Sequence, residues 1–168
     1  MRNLNIKKNN KGFTLVEFIL YIGIFSIFLL ITLEMFSSIF GIQLESEATS
    51  TVSSDGKFII QRFTHDVNNA SSISVPALYG TSSASLTLVV NGQNYNYSLD
   101  SGNLILENES TGTSDQLNST ESSVSELSFI KLDGGGQDTV QISFTLTSVV
   151  KRTGGEEVRE FQTSAGIR

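Results

Sequence analysis

Between Phe13 and Leu33 the chain is apolar except for Thr14, Glu17, Ser26 and Thr32. At about 1.5 Å per residue, a helix of that run is roughly 30 Å long, enough to cross a bilayer core. A helix buried in a globular core is usually shorter or carries a polar stripe, whereas here apolar residues take every side. Ahead of the run stand Arg2, Lys7, Lys8 and Lys11, with no acid among them. That charge bias keeps the N-terminus in the cytoplasm and sends the remainder outside. A secretory signal puts small residues after its apolar run; here a glycine, Gly12, comes before it.

Glu17 is the second oddity. A carboxylate deep in a membrane helix costs about 2.5–3.5 kcal/mol, and less near the interface. The plain reading is a signal anchor whose glutamate snorkels to the headgroups. The functional reading gives Glu17 a partner. Cleavage after Gly12 would create an α-amino group on Phe13, four residues and about one helical turn away. Such an amine could pair with the Glu17 of a neighbouring subunit, so that each group satisfies the other only on assembly.

The stretch KGFTLVE, with its basic leader, Gly12, Phe13, fifth-position Glu17 and apolar helix, resembles the class III signal of type IV prepilins and type II secretion pseudopilins. The resemblance implies that a membrane aspartyl peptidase cuts between Gly12 and Phe13 and then methylates the new amine on Phe13, with Lys7, Lys8 and Lys11 as leader charges. It implies as partners the prepilin peptidase/methyltransferase, other pilin or pseudopilin subunits, the inner-membrane assembly platform and membrane lipid. One departure is visible: many major pilins carry a proline where this chain has Glu34.

The resulting organisation is a leader (1–12), a membrane and filament-core helix (13–42) and an external head (43–168). The helical pattern continues into the head, where Ile60, Phe63, Val67 and Ala70 recur at spacings of three and four. The Thr, Ser and Gly residues over 49–56 lower helix propensity and predict a fray or bend there. Beyond residue 83, alternating runs such as ASLTLVV, QNYNYSL and NLILEN are separated by Asn91-Gly92 and by Asp100 to Gly102, both hairpin signals. VSELSFIKL, DTVQISFTLTSVV and a closing EEVREFQTSAGIR follow, while the polar stretch 107–123 reads as a surface loop. The fold class is α+β: a pilin-like long N-terminal helix packed on a C-terminal antiparallel sheet. In order and flavour the head is similar to J-type minor pseudopilins and related minor pilins.

Enzymatic chemistry finds little to stand on. The chain has 168 residues, no cysteine and one histidine, His65, so no cysteine-based metal site and no complete nucleophile–base–orienter set emerges. No catalytic residue, metal ligand or cofactor is assigned. The turn DGGGQD (133–138) lacks the Lys-Ser/Thr of a phosphate loop, and Asp133 and Asp138 lack the Asp-x-Asp pattern of a calcium loop. His65 reads as a surface residue, with Asp66 pointing about 100° away around the helix. Tyr95 and Tyr97 share one strand face and read as packing residues. Removing the four leader cations from the 11 basic residues leaves 7 against 17 acidic ones, a net of −10. That balance argues against strong direct nucleic-acid binding, which needs clustered Lys or Arg. The leading function is a filament subunit of the minor type. The alternative is a single-span, membrane-anchored binding module that does not polymerise.

Overall fold

The computed structural model describes residues 12–133, 135–152 and 154–168. Among the described residues, helix α1 (Leu15–Asn69) is followed by nine strands: β1 (Ser72–Val75), β2 (Ser82–Ser83), β3 (Leu86–Val90), β4 (Gln93–Asp100), β5 (Asn103–Asn108), β6 (Thr113–Gln116), β7 (Ser122–Asp133), β8 (Asp138–Ser148) and β9 (Val158–Gly166). Two compact units divide the chain at Phe40/Gly41.

The first unit is a helix without a core. Every large apolar side chain from Phe13 to Ile42 is exposed, and an 18-residue window of α1 near the N-terminus reaches a mean hydropathy of 2.4 with none of it buried. The segment is therefore long and apolar enough to cross a membrane. Its hydroxyls are satisfied locally: Ser26 Oγ donates to the Ile22 carbonyl at 2.7 Å and Thr32 Oγ1 to the Phe28 carbonyl at 2.8 Å, so neither needs a partner in lipid.

The second unit, Gly41–Arg168, folds around one core. Its strands form two antiparallel sheets, ordered β1-β3-β4-β5-β6 and β2-β7-β8-β9, where the sequence pattern suggests one. Val52, Ile59, Phe63 and Val67 of α1 pack against both: Leu86, Leu88, Tyr97, Leu104 and Leu106 from the first, Phe129, Ile142, Phe144 and Leu146 from the second. The helix face thus centres on Ile59, with Ile60 half-buried beside it. Register follows the period-2 pattern: Leu86, Tyr97 and Leu106 are cross-strand neighbours, all buried. The β3–β4 hairpin closes on Asn91 and Gly92, with φ of 51° and 76°, the two positive values that a twisted two-residue turn demands.

The low-propensity stretch 49–56 does not interrupt α1, which stays helical throughout, because tertiary contacts override propensity. Ala48, Val52 and Gly56 are buried there. A β-carbon at Gly56 would lie inside the ring of Phe161 from β9, so the glycine is a close-packing position, not a weak point. The polar stretch 107–123 is also more than a surface loop. It contains edge strand β6, paired with β5, and then a segment fastened to the helix. The Asp55 Oδ2 atom accepts from Ser119 N–H at 2.9 Å, Ser119 Oγ at 2.7 Å and Ser122 Oγ at 2.6 Å. Buried Asn118 accepts from Leu104 N–H at 2.8 Å and donates to the Ser122 carbonyl at 2.8 Å.

Candidate functional site at the helix start

Gly12, Phe13 and Thr14 lie outside the helix, and α1 begins at Leu15. The local chemistry dictates that start. The Thr14 carbonyl accepts the first helical bond from Phe18 N–H at 3.1 Å, while Thr14 Oγ1 accepts from Glu17 N–H at 3.3 Å. Thr14 is therefore the N-cap and Glu17 the third helical residue, half of a capping box. A first-turn carboxylate also suits the positive end of the helix dipole. Sequence reasoning passed over this cap, although Thr-x-x-Glu before an apolar run is its signature.

Glu17 is exposed, as are Gly12 and Phe13. The Phe13 ring leans on Tyr21, with centroids 5.8 Å apart and planes at 56°. Among the described residues, nothing lies within 4 Å of the point where a Gly12 β-carbon would sit, and none covers the Gly12–Phe13 bond. The leader charges Lys7, Lys8 and Lys11 lie outside the described residues.

The remaining polar clusters belong to the head. Asp66, buried on α1, receives Tyr97 Oη–H at 2.7 Å and Arg62 Nε–H at 2.9 Å, and burial drives the Tyr97 hydroxyl far above its ordinary pKa. His65 Nδ1 sits 3.1 Å from Asp66 Oδ1. The two neighbours do meet, contrary to the angular argument, because the imidazole reaches sideways along the helix surface. The His65 side chain is nonetheless 73% exposed, and the cluster ties α1 to β4. In the second cluster Lys131 Nζ lies 2.9 Å from Asp138 Oδ2 and 5.1 Å from the Tyr79 ring centroid. Tyr79 Oη donates to Asp138 Oδ1 at 2.7 Å. The Tyr79 hydroxyl and then the Lys131 ammonium hold the Asp138 carboxyl below its usual pKa. With Asp138 so engaged and Asp133 capping its own turn through Gly135 N–H at 3.0 Å, the 133–138 hairpin is accounted for by packing. Among the described residues no group of three or more His, Cys, Asp or Glu side chains could hold a metal ion. Tyr97 is core and Tyr95 packs half-buried against it.

Comparison with known families places one feature. The model of the prokaryotic N-terminal methylation motif matches residues 7–33, the segment that holds the Gly12–Phe13 bond, the cap and the exposed apolar helix. This prepilin-type motif fits a type IV pilin or pseudopilin. It is a structural pilin motif and not an enzyme class. No curated protein and no solved structure matches the chain.

Proposed function

We propose that this chain is the precursor of a minor filament subunit, of a type IV pilus or of a type II secretion or DNA-uptake pseudopilus. The observation that carries the reading is the coincidence of the methylation motif with a helix whose large apolar side chains from Phe13 to Ile42 are all exposed, beside a head that buries its own core. A monomer in water could not keep that helix. A lipid bilayer covers it before assembly, and neighbouring subunits cover it afterwards.

In this reading the leader, residues 1–12, stays in the cytoplasm. The helix 13–42 spans the membrane once, and the head, 43–168, lies outside. A prepilin peptidase cuts after Gly12 and methylates the Phe13 amine. Glu17 then pairs with the Phe13 amine of an adjacent subunit and sets the stagger between helices. The assembly platform and other subunits are its partners, and its role is structural, with no cofactor. Intact mass spectrometry of the protein from native membranes tests this. Loss of residues 1–12 plus one methyl group is expected; a retained leader would favour the anchored binding module that never polymerises.

A further inference from the structure

We infer that Thr14 is a positioning residue for leader removal: by capping α1 immediately downstream, it holds the Gly12–Phe13 bond in the non-helical form that a peptidase can use. The inference rests on the cleavage reading above and adds to it the device that presents the bond.

Hydrolysis adds water across the Gly12–Phe13 amide, leaving a carboxylate on Gly12 and an ammonium on Phe13. Peptide-binding clefts take up extended backbone through its own N–H and C=O groups. In a helix those groups are bound to residues four apart, and the Gly12 carbonyl would be occupied by Val16 N–H. The described geometry avoids this. Phe18 N–H takes the Thr14 carbonyl and Glu17 N–H takes the Thr14 hydroxyl, which stops the helix two residues short of the scissile bond. Without the hydroxyl, that stop loses its cap. The next residues upstream with strong N-cap chemistry are Asn9 and Asn10. A helix started from Asn10 would take Gly12 and Phe13 into its first turn. Only the poor helix propensity of Gly12 opposes the shift, so Gly12 and Thr14 defend the same short non-helical segment, one by propensity and one by capping.

The test uses the full-length precursor in detergent with its cognate membrane peptidase, following the ratio of precursor to mature chain by mass. Thr14→Val keeps the β-branched shape and removes the hydroxyl, and Thr14→Ser keeps the hydroxyl. Cleavage of Thr14→Val is expected to slow by up to about fivefold, the equivalent of a lost N-cap of ~1 kcal/mol. Thr14→Ser should run at the parental rate, and Gly12→Ala with Thr14→Val should be slower than either alone. In parallel, NMR carbon shifts of Gly12 and Phe13 should move toward helical values in Thr14→Val. Parental cleavage of Thr14→Val, equal slowing of the serine variant, or unchanged shifts would each overturn the inference alone. A parent chain left uncut between Gly12 and Phe13 would overturn the functional reading, and this inference with it.

Discussion

Truncating Phe63 to alanine should unfold the head more readily than almost any other single change. Its side chain has no exposed surface, and its ring sits 6.4 Å from Tyr97, edge-on at 79°, and 6.4 Å from Phe129. An aromatic side chain buries about 150–250 Å², which at about 25 cal/mol per Å² is worth roughly 4–6 kcal/mol before the share that alanine keeps. Measured Phe→Ala core changes fall at about 3–5 kcal/mol. Here the loss falls toward the upper half of that range, since two other rings lose a partner. For a unit of this size, about 3–4 °C of melting temperature accompanies each kcal/mol, so a fall of roughly 12–20 °C is expected. The assay is thermal unfolding of the fragment 43–168 by circular dichroism and calorimetry. Phe58→Ala serves as the internal control: Phe58 lies on the same helix but is 50% exposed, and its truncation should stay within about 0.5 kcal/mol. Equal melting temperatures for parent and Phe63→Ala, or equal losses for the two variants, would show that α1 does not pack on the sheets through this face.

Two further predictions concern charge. Glu17→Ala and Glu17→Gln should both insert in the normal orientation, eased by up to about 3 kcal/mol, and be cleaved, yet cross-link poorly to partner subunits at equal membrane abundance; undiminished cross-linking of Glu17→Ala would make the glutamate a tolerated interfacial residue. Asp138 has its folded pKa lowered by Tyr79 and Lys131, so its contribution is present above the ordinary carboxylate value and is lost as pH falls through the lower folded value. The melting-temperature gap between parent and Asp138→Asn should accordingly narrow from about pH 5 down to pH 2, and a gap constant over that range would refute the pairing.

The parts of the molecule governed by local rules were legible in the residues. The membrane-length run, the hairpins at Asn91-Gly92 and Ser101-Gly102, and the alternation that buries Leu86, Tyr97 and Leu106 all depend on neighbours a few positions away. What escaped depends on distant chain. Gly56 reads as a helix breaker until Phe161 is placed against it, 105 positions on. The 117–122 segment reads as a solvated loop because its polarity serves Asp55 and the Leu104 backbone, partners that no periodicity reveals. The sheet count was lost for the same reason, since β6 and β7 follow each other in the chain yet lie in different sheets. Thr14 was a different failure: its capping signature is local and plain, but Glu17 reads as a carboxylate in lipid and as the partner of a neighbour's Phe13 amine, not as the third residue of a helix.

The contact between Gly56 and Phe161 has a consequence for the order of events during synthesis. The helix emerges from the ribosome well before Phe161, which lies against Gly56 and stacks on Phe144 at 5.4 Å. Contacts that span most of a chain form late, because the intervening loop must close before they give anything back. Until β9 is delivered, the helix face around Val52, Gly56 and Ile59 lacks its final cover, and β8 remains an open edge for pairing with other chains. The fold of the head is therefore completed only once β9 has been made. A nascent chain stalled before Val158 would present a finished membrane anchor attached to an unfinished head.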